Sequence, residues 1–148
     1  EGYDNIIWLD AKEKKYVEEM GAMNIAFVYE DRIVTAPAGD TILNGVTRDS
    51  VGILLGDMGK NWVEVAPAID EICEDARTGK LKEVFACGTA AVVTPVGTIR
   101  YKGADHQVAD GKEGPLTEKL RVTLTGIHAG NSEHHPEWVH VVPVFENV

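Results

Sequence analysis

The sequence predicts a mixed α/β (α+β) fold, with a sheet at the core and helices packed outside it. Short strand-like apolar runs alternate with segments of helical periodicity, in the order strand group, helix, strand, helix, strand group, helix, strand. No internal repeat, low-complexity tract or linker interrupts this pattern, and 148 residues suffice for one domain with a substantial core. We therefore expect residues 1–148 to form a single domain.

Composition and charge argue against several classes of protein. The net charge of −10 argues against a nucleic-acid-binding protein, because phosphate recognition needs a basic surface. No apolar run is long enough to cross a bilayer, and no signal peptide is visible. The two cysteines, Cys73 and Cys87, form no metal-type pair, so a reduced, cytoplasmic protein is the simplest interpretation.

The first half of the chain is predicted to form strands followed by a helix. Residues 6–9 are a nearly continuous apolar run, which indicates a buried strand. Residues 24–29 and 33–35 flank a polar turn and predict a hairpin. A helix is expected after Thr47 and before Gly59. Its apolar face contains Val51, Leu54, Leu55 and Met58.

The second half repeats these signals. Residues 62–67 alternate in polarity and predict a strand, and a short amphipathic helix begins near Ile69 and stops at Gly79. Residues 97–101 and 107–108 indicate further strands around turns at Gly103 and Asp105, and Pro115 opens a last helix. The buried stripe of that helix contains Leu116, Leu120, Leu124 and Ile127, and a final strand is expected over residues 139–142.

The most unusual stretch is residues 81–96. Apolar pairs at 84–85 and 92–93 flank six small residues at 86–91, one of which, Thr89, adds a hydroxyl. Small side chains between strands serve either a tight turn or the close approach of a ligand to backbone N–H groups. The local pattern leaves both alternatives open.

Two other places could bind a ligand. Residues 45–47 form a loop that enters a helix, and such an N-terminus offers free N–H groups to an anion; alternatively Thr47 or Asn44 merely caps the helix. Glu19 lies in an apolar context and needs a partner, which could be Arg48 or a ring nitrogen of a cofactor.

Metal and hydrolase sites are not predicted. His134 and His135 are adjacent in a polar loop, and no acid or cysteine stands at a ligand spacing from them. The G-x-S-x-G, Walker A and dinucleotide-binding patterns are also missing.

Three stretches carry a resemblance to a known family. Residues 16–24 (YVEEMGAMN), 42–50 (ILNGVTRDS) and 83–96 (EVFACGTAAVVTPV) occur in this order. Together they resemble the branched-chain amino acid aminotransferases, which are fold-type IV pyridoxal-phosphate enzymes. Shorter similarities extend the resemblance nearly end to end, at residues 7–10, 101–103, 114–117 and 124–127. The resemblance implies the C-terminal, cofactor-binding large domain of a two-domain enzyme, with a sheet or pseudo-barrel core.

The resemblance also implies roles for individual residues. Glu19 matches the acid that hydrogen-bonds the pyridine nitrogen of pyridoxal 5'-phosphate and keeps it protonated, so that the ring acts as an electron sink. The loop at Gly45 and the N–H groups of Val46 and Thr47 match the phosphate cradle, to which Thr89 contributes. The substrate-binding positions are Ala22, where many relatives have Thr, and Thr89, Ala90 and Ala91, which match the turn that meets the substrate carboxylate.

The resemblance further implies what lies outside this chain. The Schiff-base lysine of the family falls upstream of the position matched by Gly2, as does a small N-terminal domain that completes the pocket. We therefore expect no catalytic residue in this chain and no activity of the chain alone. Ala91 and Thr94 replace the C-x-x-C pair of mammalian relatives, so no thiol switch is expected.

The implied activity is transfer of the amino group of Leu, Ile or Val to 2-oxoglutarate, in branched-chain amino acid biosynthesis, by a homodimer. Two alternatives stay open at this point. One is another fold-type IV enzyme, such as a D-amino acid transaminase or aminodeoxychorismate lyase. The other is a non-catalytic domain that kept the fold.

Overall fold

A computed structural model describes residues 2–142 and contains nine strands and three α-helices in that part of the chain. The strands are β1 (Ile7–Leu9), β2 (Val17–Met20), β3 (Asn24–Val28), β4 (Ile33–Thr35), β5 (Trp62–Glu64), β6 (Glu83–Gly88), β7 (Val92–Pro95), β8 (Thr98–Tyr101) and β9 (Ala104–Gln107). The helices are α1 (Val46–Asp57), α2 (Ile69–Arg77) and α3 (Pro115–His128), and a 3₁₀ turn spans Pro136–Trp138.

The centre of the fold is a five-stranded sheet in the order β5-β4-β3-β6-β7. Strands β4 and β5 pair in parallel, and the other neighbours in this sheet are antiparallel. Two smaller antiparallel sheets, β1-β2 and β8-β9, lie beside it. The predicted mixed α/β class is therefore confirmed.

The central strands β3 and β6 are buried on both faces. Ile25 and Phe27 point into a cluster with α2, whereas Ala26 and Val28 point into a cluster with α1 and α3. Strand β6 alternates in the same way, because successive side chains of a strand point to opposite faces. The sheet is consequently covered by helices on both sides, as the sequence predicts.

Several sequence predictions for local elements are wrong. Residues 139–142 form no strand; after the 3₁₀ turn Val139 is half-buried, and residues 140–142 are exposed. Strand β1 is only partly buried, since Trp8 is 51% exposed and Ile7 and Leu9 are half-buried. The reason is that β1 pairs only with β2, so that one face of this small sheet is left uncovered.

Other elements have different bounds from those predicted. Of the six small residues at 86–91, the first three belong to β6, so the turn contains only residues 89–91. The strand predicted at 62–67 ends at Glu64, and Asp105 lies inside β9 rather than in a turn. In each case pairing with a neighbouring strand sets the limit of the element, and this information is not local.

No helix within the part of the chain that the structure describes combines the length and apolar character needed to span a membrane.

Candidate functional site

Three segments distant in sequence meet around residues 22–24, where the turn after β2 leads into β3. Asn24 is in register with Cys87 of β6, which brings Gly88 beside this turn. A Cβ on Gly88 would stand 3.0 Å from Met23 Cγ, and a Cβ on Gly45 would stand 2.8 Å from Asn24 Oδ1. The two glycines thus allow the loop before α1 and the end of β6 to approach the turn closely.

Glu19 lies at the edge of this junction with one carboxylate oxygen held in place. Its Oε1 accepts a hydrogen bond from the backbone N–H of Leu43 at 3.0 Å and lies 3.5 Å from Asn24 Nδ2. Its Oε2 has no hydrogen-bond partner within residues 2–142. The alternative partner considered from the sequence, Arg48, is paired with Glu64 at 3.0 Å instead.

The N-terminus of α1 has no side-chain cap. Gly45 is the N-cap residue, and its carbonyl accepts the first helical hydrogen bond, from Asp49 N–H at 3.0 Å. The N–H groups of residues 46–48 have no acceptor within the described residues. The capping role considered for Thr47 or Asn44 is therefore wrong, and the free donors and the helix dipole favour an anion here.

Helix α3 provides an internal contrast. The buried carboxylate of Glu83 accepts hydrogen bonds from Leu116 N–H at 3.0 Å and from Thr117 N–H at 2.8 Å, and from the Thr117 hydroxyl at 2.7 Å. This N-terminus already binds an anionic group from the chain itself. The N-terminus of α1 has no equivalent partner in residues 2–142.

The turn at residues 89–91 exposes backbone donors next to this junction. Thr89, Ala90 and Ala91 are all exposed, and the N–H groups of Ala90 and Ala91 donate to no acceptor within residues 2–142. Val92, which follows the turn, has a φ of 58°, a left-handed conformation that is an outlier for a β-branched residue. Such strain persists only where the surrounding structure imposes it.

Cys87 lies buried in β6, beside the junction. Burial raises the pKa of Cys87 to about 12, although Arg48 acts in the opposite direction. Cys87 therefore remains a neutral, packed side chain at ordinary pH.

Lysine side chains do not reach the junction in the described part of the chain. All nine lysines of the sequence, from Lys12 to Lys119, are exposed. Within residues 2–142, the lysine side chains form ion pairs or hydrogen bonds with Asp70, Asp75 and the Gly79 carbonyl, and none with Glu19 or Thr89.

The fold and this junction define a class of protein. Residues 1–99 match the family model of amino-transferase class IV, and the chain belongs to that family.

Individual relatives agree with this assignment. The chain is 44% identical over 141 residues to a probable branched-chain-amino-acid aminotransferase of Streptomyces coelicolor, covering 95% of this chain and 39% of the relative. It is also 44% identical over 142 residues to the branched-chain-amino-acid aminotransferase of Mycobacterium tuberculosis, covering 93% of this chain and 39% of that protein. The chain thus spans about two fifths of the length of the curated relatives it matches.

Solved structures show the same likeness. The T.th. branched-chain amino acid aminotransferase with pyridoxamine 5'-phosphate superimposes with a TM-score of 0.77 at 31% identity, covering 93% of this chain and 41% of that one. The branched-chain aminotransferase of Thermoproteus uzoniensis with norvaline gives a TM-score of 0.75 at 32% identity, with 93% and 41% coverage.

Sequence reasoning missed two groups at the junction. One is Asn24, which the sequence pattern places only in a strand, and the other is the backbone of Leu43. A buried amide at the start of an otherwise apolar strand was the available signal for Asn24. The backbone contact of Leu43 left no signal in the sequence.

Proposed function

We propose that this chain forms the cofactor-binding part of a branched-chain amino acid transaminase that uses pyridoxal 5'-phosphate. The reaction would move the amino group of Leu, Ile or Val to 2-oxoglutarate. The observation that carries the proposal is the meeting of a half-free carboxylate, an uncapped helix N-terminus and a turn with free N–H groups around residues 22–24. The membership in class IV and the names of the relatives support it.

The donors and acceptors at the junction fit this cofactor. Gly45 begins α1 without a side-chain cap, so the free N–H groups that follow it suit a phosphate, which Val46, Thr47 and the Thr89 hydroxyl would hold. Glu19 Oε2 is free to accept a hydrogen bond from a ring N–H. When bound, pyridoxal phosphate supplies an electron sink for the bond-breaking at the substrate carbon.

Each residue then has a definite task. Glu19 would hold a proton on the ring nitrogen, since a carboxylate beside that atom favours its charged form. The N–H groups of Ala90 and Ala91 would bind and orient the substrate carboxylate, and Ala22 would leave room beside it. We expect the lysine that binds the cofactor to lie outside the described residues, because the nine lysines described are all exposed and none has a contact with Glu19 or Thr89.

The assembly and location are proposed on the same basis. We expect residues 1–148 to act as one domain and the full-length protein to form a homodimer, which exposed apolar side chains such as Ile6, Trp8 and Leu43 support. A cytoplasmic location is consistent with two free, unpaired cysteines.

The proposal is tested by replacing Glu19 in the protein expressed at its full natural length. Glu19→Ala should lower turnover of L-leucine with 2-oxoglutarate by about a hundredfold or more, since the acid acts on the reacting ring rather than on packing. Glu18→Ala is the matched control, because within residues 2–142 the Glu18 carboxylate accepts a hydrogen bond only from Thr41, at 2.8 Å. Circular dichroism should show both variants folded.

A substrate panel tests the substrate class in the same preparation. We expect turnover of L-leucine, L-isoleucine and L-valine. Turnover of D-alanine without L-leucine would assign a different class IV reaction. Near-normal activity of the Glu19→Ala variant would show that the acid has been assigned wrongly.

A further inference from the structure

Asn24 occupies an unusual place for a polar side chain. It begins β3, is only 6% exposed, and is followed by four buried apolar residues. A buried amide is costly unless its donors and acceptor are used. Its Nδ2 donates to the carbonyl of Leu43 at 2.9 Å and lies 3.5 Å from Glu19 Oε1, and its Oδ1 faces Gly45.

The segment that Asn24 contacts is held mainly by polar contacts, which include a hydrogen bond from Arg48 to Asn44 Oδ1 at 3.2 Å and one from Gly45 N–H to the Leu43 carbonyl at 2.9 Å. Leu43 is 73% exposed and Asn44 is exposed, so hydrophobic packing contributes little to the position of residues 43–45. The backbone of Leu43 is instead fixed at both ends by polar contacts. Its N–H donates to Glu19, and its carbonyl accepts from Asn24.

We infer that Asn24 is a positioning residue that locks residues 43–45 to Glu19. It thereby holds the uncapped N-terminus of α1 at a fixed distance from the Glu19 carboxylate. The ring and the phosphate of one bound cofactor can then contact both groups at the same time. This inference rests on the proposed function, since it assigns the two ends of one ligand to Glu19 and to α1. Asn24 itself would touch neither the cofactor nor the substrate.

The test measures how much the phosphate group contributes to binding. The affinity of the full-length, cofactor-free protein is determined for pyridoxal 5'-phosphate and for pyridoxal, which lacks the phosphate. In the wild type we expect strong preference for the phosphorylated compound. Asn24→Ala should reduce this preference about tenfold, the effect of losing one hydrogen bond to a buried anchor.

A matched variant separates positioning from general loss of structure. Thr35→Val removes another buried hydrogen bond of the same sheet, in which the Thr35 hydroxyl donates to the Ile25 carbonyl at 2.7 Å. It should leave the preference between the two compounds unchanged, whatever it does to the unfolding temperature. An unchanged preference in folded Asn24→Ala would overturn the inference.

Gly45→Ala tests the contact between Asn24 and residue 45 by changing the glycine instead of the amide. This test does not require the Asn24→Ala variant to fold. The added Cβ would stand 2.8 Å from Asn24 Oδ1 and must displace the amide, whereas Gly39→Ala adds a Cβ in open space. We expect Gly45→Ala to reduce the preference and Gly39→Ala to leave it intact. Equal behaviour of these two glycine variants would contradict the inference.

The outcomes also distinguish this inference from the proposed function. A wild-type protein that binds neither compound, or binds both equally, would refute the proposed function and the inference with it. A wild type that prefers the phosphorylated compound, combined with an Asn24→Ala variant that does so equally, would refute the inference alone.

Discussion

At the residue scale, Arg48 places a positive charge at the N-terminus of α1, where a cation is least favourable. It lies in the first turn of α1, where the macrodipole disfavours cations, and its side chain is 3% exposed. Its guanidinium donates to the Ala36 carbonyl at 2.9 Å and to Asn44 Oδ1 at 3.2 Å, and it pairs with Glu64. These contacts tie the loop before α1 to the chain that follows β4.

We predict that the contacts of Arg48 to the loops contribute more to stability than its ion pair does. Arg48→Met should lower the free energy of unfolding by about 3 kcal/mol, because the buried Ala36 carbonyl loses its donor and Asn44 loses its contact. Glu64→Gln should cost less than about 1 kcal/mol, because the Glu64 side chain is 45% exposed and readily solvated. Urea unfolding followed by circular dichroism measures both. Equal losses would assign the stabilisation to the ion pair instead.

At the element scale, α2 begins without a side-chain cap, as the sequence position of Ala68 suggests. Ala68 is the N-cap residue, with φ −79° and ψ 128°, a conformation in which a Ser hydroxyl can accept from a helix N–H group. Ala68→Ser should therefore raise the free energy of unfolding by about 1 kcal/mol. An unchanged melting temperature would mean that Asp70 and Glu71 already satisfy this end.

The elements also show what the sequence could and could not predict. Helices α1, α2 and α3 follow from their apolar periodicity, and α1 and α2 are each followed by a left-handed glycine, Gly59 and Gly79. The extent of β6 and the absence of a strand at 139–142 depend on which neighbour is available for pairing, which periodicity does not encode.

The residues of the candidate site were likewise only partly predictable from the sequence. The resemblance selected Glu19 and residues 45–47 because their sequence pattern is distinctive. Asn24 was not selected because its importance comes from contacts with Leu43 and Gly45, some twenty residues away. Those contacts exist only once β3 pairs with β6 and the loop before α1 folds back.

At the scale of the whole molecule, the segment after α3 closes over α1. His135 lies between two carboxylates, with Nε2 2.7 Å from Asp57 Oδ2 at the end of α1 and Nδ1 2.8 Å from Glu137 Oε1. Its ring stacks on Trp138 at 4.1 Å, and Trp138 packs against the cluster formed with α1 and α3. This contact joins the end of the described chain to the helix whose other end carries the proposed phosphate site.

The contact should weaken as the pH rises. Hydrogen bonds to Asp57, and then to Glu137, raise the pKa of His135 above its ordinary value of 6.5, so the folded state favours the charged imidazolium. A group whose pKa is raised on folding contributes its full stabilisation below the unfolded pKa and loses it as the pH passes the folded pKa. The closure over α1 is therefore strongest in mildly acidic solution and loosens above the folded pKa of His135.

Trp138 reports this transition, because a stacked imidazolium quenches indole fluorescence more than a neutral ring does. Fluorescence should increase with pH around a midpoint above 6.5, and His135→Gln should abolish the step. His134→Gln is the matched control, since His134 is exposed and its side chain makes no hydrogen bond within residues 2–142. Trp138→Phe shows which part of the fluorescence comes from Trp138 rather than from Trp8 and Trp62. A midpoint at or below 6.5, or a step that survives in His135→Gln, would show that the two carboxylates do not hold the charged ring.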